Sequence, residues 1–101
     1  MTTVYRIYCG TDTNGFDVDA TQIVPKLAAK YFPGGHTVYD AVGRWTGEVG
    51  VIDEPTIVVE FMTSDPSADE KKVSQFAGQV KNKTFQESVL ITKTEVDAFF
   101  V

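Results

Sequence analysis

An α+β sandwich running strand, helix, strand, strand, helix, strand is the fold class this sequence predicts, on three observations. Stretches rich in aromatic and branched residues alternate at VYRIYCG, HTVYDAVGRW, TIVVEFM and ESVLITKT, the period of two expected of strands. Two other stretches repeat their apolar residues every three or four positions, as one face of a helix does. A length of 101 residues with 43% hydrophobic content fits one domain, 1–101, around a modest core. That element order is the split βαβ arrangement termed ferredoxin-like. Right-handed crossovers set the first and third strands centrally, the fourth beside the first and the second beside the third. The result is a four-stranded antiparallel sheet with two helices on one face.

Taken in order, the first strand spans about Val4 to Cys9, and GTDTNG behind it is turn chemistry. Ala20, Ile23, Leu27, Ala28 and Tyr31 mark the first helix, which begins near Asp19 or Thr21 because Pro25 is tolerated only close to a first turn. PGG stops it. HTVYDAVGRWTG and TIVVEFM then pair as a hairpin, with GEVG and DEP forming a long connection. Ser67 and Glu70 make a capping box ahead of Val73, Phe76, Ala77 and Val80, whose spacing predicts the second helix. It fades near Asn82 to Thr84, before a last strand in ESVLITKT and a tail, EVDAFFV, whose apolar end needs cover.

Alternation assigns side chains to faces. Tyr5, Ile7 and Cys9 with Ile57, Val59 and Phe61 form the helix-facing set, against which Val73, Phe76, Ala77 and Val80 pack. Arg6, Tyr8, Val58, Glu60 and Met62 are left on the open face. On the second strand, burying Tyr39, Ala41 and Trp45 costs no charge, so Asp40 and Arg44 are expected outward, beside Glu60 and near Arg6.

Composition excludes several classes of function. A net charge of -5 and a pI near 4.6 oppose the phosphate attraction on which nucleic-acid binding depends. No apolar run reaches the length of a membrane span. The start, MTTVYRIYCG, shows no leader pattern, so a cytoplasmic protein is expected. Cys9, the single cysteine, lies in an apolar strand and reads as a buried thiol.

Most polar clusters have an ordinary structural reading. DTNGFDVD offers Asp12, Asn14, Asp17 and Asp19 as oxygen ligands but misses the calcium-loop spacing. The glycines of PGG and GEVG open no helix, so they are turn residues and not a phosphate cradle. Lys71, Lys72, Lys81 and Lys83 read as a solvated helix edge. His36 follows two glycines in a loop and would need a positioned partner such as Asp40 to act as a base. No cofactor, metal site or catalytic residue is implied. The set Arg6, Tyr8, Asp40, Arg44 and Glu60 is the candidate ligand site, because two guanidinium groups beside aromatic rings suit a small, planar, anionic molecule.

RIYCG, FPGGHTVYDAVGRW, EPTIVVEF and FQESVLI together resemble a family of short bacterial proteins carried under a domain-of-unknown-function label, with an FP-G-x-TV-x-D-x-x-G-x-W core and a QESV run. The resemblance covers nearly the whole chain and singles out Arg6, Asp40, Gly43, Trp45, Gln86 and Glu87. It implies one domain and adds no chemistry. Many members carry a leader peptide, whereas this chain starts at its first strand.

With no nucleophile and base pair in view, binding is expected ahead of catalysis. The leading expectation is a self-associating module, joined through the open sheet face or its edge strands, that binds a small anionic, nucleotide-like ligand or a protein. One alternative is a phage-encoded inhibitor that sequesters a host signal or blocks a host protein. The other is a small cofactor-independent enzyme of the dimeric α+β barrel kind, with His36 or Asp40 as base.

Overall fold

The computed structural model describes all residues, Met1–Val101. Six elements follow in the expected order: β1 (Thr2–Gly10), α1 (Ala20–Tyr31), β2 (Thr37–Gly47), β3 (Gly50–Thr63), α2 (Pro66–Thr84) and β4 (Leu90–Val96). The antiparallel sheet runs β2-β3-β1-β4, the ferredoxin-like order. Tyr5, Ile7, Cys9, Ile57, Val59 and Phe61 meet Val73, Phe76, Ala77 and Val80 in one buried cluster, joined from α1 by Val24, Leu27 and Ala28. Phe32, just past α1, stacks on Phe61 at 4.5 Å and meets Phe76 edge-on at 5.2 Å, so the helix stop itself fills the core.

Local chemistry sets the helix ends. Asp19 caps α1 by accepting a hydrogen bond from the Thr21 N–H, one of the amides that a helix start leaves without a partner. The second helix starts earlier than its sequence suggests. Asp65 is the N-cap, accepting from the Ala68 N–H at 3.2 Å, and Pro66 occupies the first turn, where its missing N–H costs nothing. Ser67 is therefore inside the helix, and its hydroxyl donates to Asp65. Glu70 makes no capping box: its Oε1 accepts from the Tyr5 hydroxyl at 3.2 Å and from Lys93 Nζ at 2.7 Å. This ties α2 to β1 and β4. Phe85 ends α2 in the left-handed region, φ 58°.

The β2–β3 connection also differs from expectation. Gly47 pairs with Gly50, leaving only Glu48 and Val49 as the turn, with Gly50 at φ 115°. DEP lies within β3. Pro55 is tolerated there because its carbonyl faces the end of β1, where it accepts from the Thr11 N–H at 3.0 Å and the Thr11 hydroxyl at 2.7 Å. A residue's N and C=O leave a strand on the same side, so the missing proline N–H removes no bond to β2. Since β1 pairs with β3 only from Thr56 onward, the arm beyond it is a two-stranded ribbon.

That register reverses the faces expected for β2. Tyr39 lies opposite Val58 and Trp45 opposite Ile52, whereas Asp40 lies opposite Ile57 and Arg44 opposite Asp53. Paired residues share a face, and Ile57 faces the helices while Val58 does not. Tyr39 and Trp45 therefore stand on the open face, 40% and 55% exposed, and Asp40 and Arg44 stand on the helix side. The premise that one side of β2 must be buried fails, because β2 is an edge strand whose far half runs on into the ribbon, and Tyr39 and Asp40 on its two faces are both exposed.

Candidate functional site

The five residues expected to form a ligand site divide into two groups. Arg6 Nε sits 3.0 Å from Glu60 Oε2, and the Tyr39 hydroxyl approaches the same oxygen at 3.4 Å. Tyr8 shares that open face, opposite Val58. Val58 is 1% exposed though no helix covers it; its two ladder neighbours, Tyr8 and Tyr39, supply the bulk on that side. Arg44 instead forks onto Asp53 with contacts of 2.7 and 3.4 Å, and Asp40 lies on its side of the sheet. Both arginines are thus engaged by carboxylates on opposite faces, and they form no common clamp for an anion. His36 is not within a catalytic pair: its Nδ1 lies 2.9 Å from the Phe32 carbonyl. Burial pushes the Cys9 thiol up to about 12, so no thiolate nucleophile is available near neutral pH.

A different constellation occupies the place where the ribbon leaves the sheet. Glu54, on β3 just beyond the last β1 pair, folds its carboxylate over Gly10. A β-carbon on Gly10 would stand 2.6 to 2.7 Å from that carboxylate, so the approach needs glycine. Glu54 Oε2 accepts from the Asp12 N–H at 3.0 Å and from Gln86 Nε2 at 3.2 Å. Gln86 Nε2 also donates to the Asp12 carbonyl, and Asn14 Nδ2 donates to the Phe85 carbonyl. Phe16 stacks on Phe85 with centroids 3.8 Å apart and planes 7° from parallel. Two loops, one after β1 and one after α2, are thereby joined around a single acidic side chain.

Two hollows flank this carboxylate, of about 370 and 320 Å³, and both are lined by Asp12, Trp45 and Glu54. Asp53 adds a third acid to one, and Glu87, beside Gln86, a third to the other. Neither lining contains a lysine or arginine. The surroundings are therefore negative, with the exposed indole of Trp45 as the one large ring. Such a site favours cations and neutral hydrogen-bond donors and repels anions. Trp45, Gln86 and Glu87 were singled out by the sequence resemblance, but Glu54 was not, because DEP reads as a turn. A glycine at the end of an otherwise apolar strand is the signal that marks it, since such a glycine indicates close approach of another group.

Residues 6–100 match the family described as "Protein of unknown function (DUF3574)". The chain belongs to DUF3574. The match spans β1 to the tail and so contains Arg6, Glu54, Gln86 and the whole ribbon. No curated protein matches the chain in sequence. Among solved structures, a phage SAM lyase in the apo state superposes with a TM-score of 0.71 at 17% identity, covering 91% of this chain and 78% of that one. A phage SAM lyase in complex with S-methyl-5′-thioadenosine gives 0.67 at 15% identity, covering 93% and 81%. The periplasmic divalent cation tolerance protein CutA from Archaeoglobus fulgidus gives 0.61 at 9% identity, covering 99% and 88%. At these identities the likeness is one of fold. No helix of this DUF3574 chain is long and apolar enough to cross a membrane.

Proposed function

We propose that the chain is a small binding module whose ligand is a neutral or positively charged nucleoside-like molecule, held beside Glu54 at the root of the ribbon. The observation that carries this reading is the Glu54 carboxylate, fixed over Gly10 by the Asp12 N–H and Gln86 Nε2. An acid that is already oriented presents a defined acceptor to a ribose hydroxyl, an amine or a sulfonium centre without losing further conformational freedom. Trp45 offers a flat surface for a purine ring, and the acidic lining discriminates against phosphate. The likeness in fold to a structure described as bound to S-methyl-5′-thioadenosine supports the thioether and sulfonium nucleosides as the first compounds to test. Binding without turnover would make the protein a sequestering factor.

Trp45 is the only tryptophan, so its emission reports on the site directly. S-methyl-5′-thioadenosine and S-adenosylmethionine are expected to change that emission saturably, and adenosine monophosphate to bind at least tenfold more weakly. Glu54→Gln is expected to lose the preference for the sulfonium. No saturable change with any of the three up to millimolar concentration rejects the reading.

A second reading, turnover of S-adenosylmethionine in the same hollow, is favoured by the likeness to a structure described as a SAM lyase. It is tested by incubating the protein with S-adenosylmethionine and following S-methyl-5′-thioadenosine by chromatography. Product no faster than in buffer alone leaves binding as the function.

A further inference from the structure

The outer edge of β2 carries a pattern that is complementary to itself. Asp40 and Arg44 lie on one side of the strand, equally distant from Val42, and Tyr39 and Trp45 lie on the other side, equally distant from the same residue. We propose that two copies of this chain pair β2 to β2, antiparallel, about a two-fold axis at Val42, making one continuous eight-stranded sheet. In that register Asp40 faces the partner's Arg44, Tyr39 faces the partner's Trp45, and Val42 meets its own copy. Directly opposed side chains of opposite charge, and opposed aromatic residues, are the pairs that stabilise antiparallel strands.

Other registers lack this match. Centring the axis on Ala41 sets Arg44 against Val38 and Asp40 against Val42. Centring it on Gly43 sets Asp40 against Thr46 and Arg44 against Val42. Of these three registers only the one at Val42 joins charges of opposite sign, which is the way an edge strand selects one pairing over its neighbours. A two-fold operator also requires each contact to occur twice, and these do.

The structure contains what such pairing would satisfy. β2 is an edge strand of 11 residues with nothing covering its outer amides and carbonyls, an arrangement that ordinarily invites a partner strand. Val42 is 67% exposed, and Asp40 takes part in none of the chain's ion pairs. The ribbon beyond β1 has two strands only, which in water is marginal by itself; pairing places it in the middle of a sheet. The partner's Tyr39 then stands beside Trp45 at the mouth of the Glu54 hollow. That last consequence rests on the ligand reading above, whereas the pairing does not.

Charge reversal tests the register. Wild type is expected to sediment as a dimer without added ligand. Asp40→Arg and Arg44→Asp should each sediment as monomers, because like charges then face each other twice. An equimolar mixture of the two variants should recover the dimer, since both charged pairs are restored across the heterologous contact. Circular dichroism of each variant verifies folding, and hydrogen exchange of the wild type gives an independent measure: β2 amides should gain protection with concentration, and those of β4 should not. A wild type that stays monomeric at high micromolar concentration, a trimer, or single variants that remain dimeric would each overturn the proposal. Loss of the dimer with nucleoside binding unchanged would separate the pairing from the ligand site.

Discussion

Glu54 lies so close over Gly10 that a methyl group there would stand within 2.7 Å of the carboxylate. The obstructing atoms belong to the far end of a flexible side chain and not to backbone, so a larger residue can be admitted by moving Glu54. Gly10→Ala is therefore expected to leave the fold intact while unseating the carboxylate from the Asp12 N–H and Gln86. Thermal unfolding should change little and the Trp45 response to nucleosides should be lost. An unchanged response would mean that the position of Glu54 is immaterial.

Phe76 is 0% exposed and packs edge-on to both Tyr31 and Phe32. Phe76→Ala should cost about 3–5 kcal/mol, the penalty for deleting a fully buried aromatic ring. Chemical denaturation measures it, and a loss below about 1 kcal/mol would contradict the packing of α2 on the sheet.

The two arginines should respond differently. Arg6 and Glu60 are 34% and 17% exposed, against 70% and 52% for Arg44 and Asp53. Arg6→Gln leaves a largely buried carboxylate with only the Tyr39 hydroxyl and should lower stability measurably. Arg44→Gln removes a solvated pair and should cost under about 0.5 kcal/mol in the monomer. Equal losses in denaturant titrations, made dilute enough to avoid association, would show that burial does not rank these pairs.

Glu70 joins three elements and makes stability depend on pH at both ends. The Lys93 hydrogen bond, and then that of the Tyr5 hydroxyl, hold its carboxyl below the ordinary value of 4.5. Its contribution is therefore present above that value and lost as pH falls through the lower folded one. Lys93 is raised above 10.5 by the same hydrogen bond, so its contribution is present below 10.5 and lost as pH rises through the folded value. Glu70→Gln should consequently be less stable than wild type at neutral pH, with the gap closing in acid. A gap that stays constant from pH 7 to pH 3 would remove Glu70 from this role.

Much of the fold could be read from the residues because β1 and β3 each have one side that is buried. Alternation along VYRIYCG and TIVVEFM separates Tyr5, Ile7, Val59 and Phe61 from Arg6, Tyr8 and Glu60, and the packing agrees. On β2 the same reasoning failed, since both sides of this edge strand are wet and the cost of burying Asp40 never arises. The two-residue turn decides the face there: pairing Gly47 with Gly50 sets Tyr39 opposite Val58 by counting alone. Ser67 and Glu70 satisfied a capping pattern, but Asp65 and Pro66 two residues earlier formed a stronger start. Glu54 went unnoticed because its role depends on Gly10, Asp12 and Gln86, which are distant in sequence and meet only after the sheet has formed.

The short turn at Glu48 and Val49 also bears on the order in which the chain assembles. β2 and β3 are neighbours in sequence and need almost no loop closure, whereas β1 must find β4 across nearly the entire chain. Closing the longer loop costs more entropy before any contact repays it. The β2–β3 hairpin is therefore expected to belong to the folding nucleus and β4 to dock late. Kinetic measurements should show substitutions at Val59 slowing refolding and substitutions at Ile91 mainly accelerating unfolding; the opposite pattern would place the nucleus at the chain's two ends. A late β4 leaves the outer edge of β1 briefly exposed in every molecule made, and the time spent in that state, more than the final stability, sets how readily the protein aggregates as it folds.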